Sequence, residues 1–248
     1  MKISIDFLRK HFITLIIGFL FLTLILLDWT SLVLWQTTNA FSFIPKYLLS
    51  AVIFVSVWFI PGEKISRRDN RYLRIAFLLI FLADTCMVLF ASLPFFPGFP
   101  FFLLGLGFFL ATHIFLILRL TPYLKQVLNT KLLPFALLGL FIFGVGIAVF
   151  FQLYDRLISN GLLVPVTAYL VVLSVSLWMG ISSVFMDSSL PRKTVRFISI
   201  GMVLHYLCDY VIALTLVENE PRLLALLFAL IWVFYAPCIY LLSQSGRK

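Results

Sequence analysis

Apolar residues along this chain fall into eight blocks, at about 12–35, 44–60, 75–93, 101–121, 132–151, 162–186, 197–217 and 223–242, separated by short polar connections. Most have the length of about 17–25 residues that a helix needs to cross roughly 30 Å of hydrocarbon. The alternating segments of about ten residues that mark an outer-membrane barrel are not the pattern here. The spacing predicts an all-α polytopic membrane protein, a bundle of eight transmembrane helices forming one integral membrane domain over residues 1–248. The connections leave no room for a soluble domain. The segment PFFPGFPFF, 94–102, is expected to be a tight non-helical turn with its aromatics at the interface, because its prolines break helix.

Composition agrees with that pattern. With 62% hydrophobic and 12% charged residues and a mean hydropathy of +1.11, the chain carries more apolar surface than a soluble fold of 248 residues can bury. A net charge of +9 would suit a nucleic-acid partner, but the basic residues lie between the spans, where they meet lipid headgroups. Membrane lipids are therefore the expected partners, and no nucleic acid is. Lys2, Arg9, Lys10, the run from Lys64 to Arg74, Arg119, Lys125, Lys131, Arg192, Lys193, Arg196, Arg247 and Lys248 share one side. Only Lys46, Arg156 and Arg222 fall on the other, so both termini are expected in the cytoplasm. The expected location is a bacterial inner (plasma) membrane. The first apolar run follows a basic flank but ends at Asp28 and Trp29 without a small-residue cleavage site, as a retained helix would. Cys86, Cys208 and Cys238 sit inside apolar blocks without C-x-x-C spacing and read as small core residues, so neither a metal nor any other cofactor is expected.

Candidate chemistry comes from what does not belong in lipid. A charged side chain at the bilayer centre costs about 2.5–3.5 kcal/mol even on insertion scales, so Asp84, His113, His205 and Asp209 are functional candidates. Counted along their spans, all four lie in one layer roughly 12–18 Å below the cytoplasmic surface. His205 and Asp209 are spaced i, i+4 and share a helix face, with Tyr206 close to it. Tyr169 and Tyr235 add hydroxyls at compatible depth. LADTCMVL at 82–89 is echoed by LCDYVIAL at 207–214, four spans later, which suggests a weak 4+4 parallel repeat.

These stretches resemble a known family. FLLIFLADTCMVL followed by FFLLGLGFFLATHIFLI is similar to the third and fourth helices of the YhhN-like lysoplasmalogenase family, where a G-D-x-x-L element precedes a glycine-containing helix ending in an Ala-His-type motif. VPVTAYLVVLSVSLW, SIGMVLHYLCDYVIAL and IWVFYAPCIYLL are similar to its later helices, and the likeness runs in order over roughly 44–242. Asp84, His113, Tyr169, Asp209 and Tyr235 fall on motif positions, and Lys46 lies near a family Lys-Pro. Ala83, His205, Cys208 and Cys238 depart from the usual glycine, phenylalanine, serine and glutamine. The resemblance implies hydrolysis of the vinyl ether of a lysoplasmalogen to a fatty aldehyde and a glycerophospho-alcohol.

Such a bond is cleaved by protonating its β-carbon, after which water captures the oxocarbenium ion. Two carboxylates can divide that work, as in glycosidases. Asp84 and Asp209 are accordingly the expected catalytic pair, with either one as the acid. His113, Tyr169, His205, Tyr206, Tyr235 and Lys46 are expected to bind the lysolipid or orient the carboxylates, and the headgroup is expected beside the basic loops at 64–74 and 192–196. Two alternatives use the same residues. A metal-dependent lipid hydrolase would take His113, His205 and an aspartate as ligands, and a small proton-coupled transporter would use the aspartates as a relay.

Overall fold

The computed structural model describes residues 5–35, 42–59, 65–92, 100–185 and 190–247. Over these the chain is all-α and polytopic, with no strand. The helices are α1 (Ile5–Trp35), α2 (Phe43–Phe59), α3 (Arg67–Asp84), α4 (Phe101–Thr130), α5 (Leu132–Ser159), α6 (Leu163–Ser182), α7 (Arg192–Thr215) and α8 (Pro221–Gln244). Seven of these eight are long and apolar enough to cross a membrane, and the shorter α2 holds the apolar stretch Phe43–Trp58. Local signals account for several ends. Ser66 caps α3 by accepting the Asp69 N–H at 3.0 Å. Gly161, at φ +67°, turns the chain from α5 into α6, a conformation that favours glycine. Pro221 opens α8, where a missing N–H costs nothing.

Helix length and bilayer length are separate quantities, and α1 and α4 show it. α1 begins at Ile5, and α4 runs on to Thr130 with Pro122 inside it, both beyond the apolar blocks that predict the spans. Of the turn expected at 94–102, residues 94–99 lie outside the described residues, and Phe101 and Phe102 already belong to α4. Lys2, Lys64 and Lys248, which contribute to the expected orientation, also lie outside them.

α3 packs most closely on α4, and α7 on α8. Gly201 makes the second contact close, because a Cβ there would stand 2.9 Å from Leu242 Cγ. α1 and α5 lie outermost and turn large apolar side chains outward, among them Leu15, Phe19, Leu140 and Phe151. In water such faces would be a liability; in lipid they are the solvent-matched surface.

The end carrying the basic loops is closed by a buried arginine. Arg119 of α4 donates from Nε to Asp69 Oδ1 at 2.7 Å and from Nη2 to Oδ2 at 3.2 Å, while Nη1 and Nη2 reach Ser245 Oγ and its carbonyl at 2.7 and 2.8 Å. This bidentate pair ties α3, α4 and the end of α8 together. Replacing Arg119 by methionine strands the Asp69 carboxylate in a buried site and should cost about 3–5 kcal/mol, read as a lowered melting temperature in detergent.

Candidate active site

Asp84 ends the regular part of α3, which continues as a π-helical turn over Thr85–Leu89 and a 3-10 turn over Phe90–Ser92. The Thr85 hydroxyl donates to the Phe81 carbonyl at 2.7 Å, competing for a backbone acceptor where the helix widens. Gly105 of α4 admits the bulge: a Cβ there would collide with Met87 Cγ. The Asp84 carboxylate is buried between three helices. Ser50 of α2 donates a short hydrogen bond to Oδ2, and the Tyr235 hydroxyl of α8 lies 2.8 and 2.7 Å from Oδ1 and Oδ2.

Asp209 lies on α7, and its Oδ2 accepts the Tyr169 hydroxyl of α6 at 2.7 Å. Tyr169 oxygen is also 3.3 Å from His113 Nε2. The tyrosine has one proton and directs it to Asp209, so His113 donates from Nε2 and turns the lone pair of Nδ1 elsewhere. The rings of His113 and His205 approach to 4.6 Å between centres, and Phe109 stands edge-on to His205 and to Tyr235. Both histidines are fully buried. His113 Nδ1 and both ring nitrogens of His205 have no hydrogen-bond partner among the described residues. Two neutral imidazoles in that state carry a desolvation cost that a further partner would relieve.

One cavity of about 340 Å³ is lined by both Asp84 and Asp209, together with Met87, Phe109, Trp232 and Tyr235. A narrower apolar lobe lies on the other side of Asp209, against Leu106, Leu153, Tyr169, Leu173 and Tyr206. The two carboxylates thus share a space, without touching each other through any recorded hydrogen bond. His113, His205 and Asp209 bring one donor atom each to within 4.8 Å of one another.

Three more of the expected site residues have the following neighbours. His205 Nε2 stops 3.7 Å from Asp209 Oδ2, beyond hydrogen-bond range, while the Tyr169 hydroxyl donates to that oxygen. Tyr206 lines the apolar lobe together with Asp209 and Tyr169. Lys46 pairs with Asp28 of α1 at 2.8 Å and lies 5.8 Å from the Trp232 ring centre, one turn of α2 before Ser50, which bonds Asp84. Ser50, Phe109 and Trp232 join the site without a sequence signal, since a serine or an aromatic ring inside an apolar helix is unremarked until its neighbours are known.

The class of the protein is thus a polytopic helical bundle with two carboxylates on one cavity and two buried imidazoles beside one of them. The family model for the YhhN family matches residues 41–245, and the chain belongs to that family. Membership supports a lipid-modifying membrane enzyme in general. No curated protein and no solved structure matches the chain.

Proposed function

We propose that the chain is a hydrolase of single-chain lipids acting within the membrane, and that His113, His205 and Asp209 hold a divalent metal ion at its centre. The observation that carries this reading is the convergence of those three donors to within 4.8 Å of one another, with imidazole nitrogens that no described residue satisfies, beside a cavity that Asp209 lines. Two imidazoles and a carboxylate are a donor set of the kind found in catalytic zinc sites, which keep the fourth position for water. Tyr169 fits the scheme by orienting both Asp209 and His113, as outer hydrogen-bonding partners do around metal ligands. When bound, the metal would acidify a water and polarise the scissile group. On the cavity that Asp209 also lines, Asp84 is steadied by Ser50 and Tyr235 to receive a proton from water and return one to the departing fragment.

A second reading is favoured by the two aspartates lining one space. There, one carboxyl protonates the β-carbon of a 1-alkenyl lysolipid, and the other stabilises the resulting cation and activates water. The products are a fatty aldehyde and a glycerophospho-alcohol. Both readings place the basic loops and both termini in the cytoplasm, after the segregation of lysine and arginine. A 4+4 parallel repeat has its support in the close packing of α3 on α4 and of α7 on α8.

The test is to assay purified protein for bound metal and to incubate it with 1-alkenyl and 1-acyl lysolipids, with and without strong chelator, following aldehyde and fatty acid by mass spectrometry. Stoichiometric metal and chelator-sensitive turnover are expected. Metal-free, chelator-resistant release of aldehyde would replace the metal centre by the carboxylate pair, and no product from any lysolipid would overturn the hydrolase.

A further inference from the structure

We propose that Asp28, Lys46 and Trp232 form a headgroup site for a zwitterionic phospholipid, one helical turn from Asp84 and towards the end of the bundle opposite the arginine-rich loops. It rests on the reading of the cavity as the place where a single-chain lipid is cleaved. Two helices carry the geometry. On α2, Ser50 reaches Asp84 and Lys46 lies four residues earlier; on α8, Tyr235 reaches Asp84 and Trp232 lies three residues earlier. Both spacings keep each pair on one helix face. Both helices start at the end away from the arginines, so Lys46 and Trp232 form a second layer about 4.5–6 Å beyond the Asp84 layer. Trp232 is itself part of the cavity wall.

The charges of this layer are hidden. The side chains of Lys46 and Asp28 are 12% and 8% exposed, 2.8 Å apart, and the ammonium lies against the tryptophan face. A bridge between α1 and α2 alone would not call for them, because apolar residues join helices in lipid without the cost of desolvating two ions. A zwitterionic head gives them a use. Its phosphate, separated from the cleavable bond by the glycerol backbone, meets the Lys46 ammonium, and its cationic nitrogen meets Asp28 and the Trp232 ring. One ion pair is exchanged for two, and the site stays neutral throughout. A phosphoglycerol head offers no cation, and would leave Asp28 beside a phosphate with nothing to balance it. The arginines at the other end line a separate cavity, formed by Arg67, Arg68 and Arg71 over Ile75 and Phe115, which does not reach the carboxylates.

The test uses the full chain in nanodiscs and two probes that cannot be cleaved, 1-O-alkyl lysolipids of one chain length with phosphocholine or phosphoglycerol heads. Binding is read from tryptophan fluorescence. The phosphocholine probe should bind about tenfold more tightly to the native protein, an order expected for one unbalanced charge. Asp28→Asn should abolish that preference, and Lys46→Gln should weaken both probes. The double variant Asp28→Lys with Lys46→Asp keeps a bridge between α1 and α2 and should also lose the preference. Equal binding of the two probes to the native protein, or a charge-swapped variant that binds as the native one does, overturns the site. Because no bond is broken, a preference for the zwitterionic probe in a protein that releases no product would keep the headgroup site and remove the hydrolase.

Discussion

Asparagine in place of Asp209 lowers lysolipid turnover by a factor of about 10²–10⁴, the usual worth of a positioned acid, base or metal-bound carboxylate, while helix content and melting temperature stay near those of the native protein. The substitution keeps the size of the side chain and an oxygen able to accept the Tyr169 hydroxyl, so the contact between α6 and α7 survives. What it removes is the negative charge. Asp84→Asn is expected to lose as much for its own reason, since its amide can still accept from Tyr235 but can no longer exchange a proton with the substrate or with water. Initial rates of product release, measured beside circular dichroism of the same samples, decide it. Variants that fold and turn over within about threefold of the native rate would take both carboxylates out of the reaction.

His205→Gln should separate the two mechanisms. A glutamine amide fills much of the imidazole volume and remains polar, so the packing against Phe109 and His113 is largely kept. As a ligand it is poor. With a metal at the centre, bound metal falls below stoichiometry and turnover drops by about 10² or more. If the carboxylates act alone, His205 stands 3.7 Å from Asp209 with no hydrogen bond to lose, and the variant stays close to native activity. Metal content by elemental analysis and rates from the same preparation should fall together in His205→Gln and in His113→Gln. A fall in rate with metal retained would speak against the metal centre.

The helices were readable because lipid imposes a length and a polarity on them, and eight α-helices lie where the apolar blocks do. Their ends beyond the hydrocarbon were not, since nothing in a hydropathy pattern distinguishes a helix leaving the membrane from one that stops, as Thr130 shows for α4. Asp84, His113, His205 and Asp209 stood out because each is expensive in an apolar run. Ser50 did not, because a serine costs little in a helix and its role depends on how α2 crosses α3. Asp28 reads in the sequence as an interruption of the first span; its partner on the next helix, Lys46, becomes evident only when α1 lies against α2. The imidazole cluster was half legible. Sequence spacing pairs His205 with Asp209, whereas the nearest ring to His205 belongs to His113, on a helix far away in the chain.

The widened turn after Asp84 carries an evolutionary implication. An α-helix advances about 100° per residue, so shortening Thr85–Leu89 by a single codon would restore ordinary winding and rotate Met87, or whatever replaced it, off the Gly105 notch. Asp84 precedes the deletion and would keep its place in α3, but the part of the cavity lining that Met87 supplies would be rephased. Length changes at this point are thus a route by which relatives could reshape what they accept while leaving every acidic residue in place.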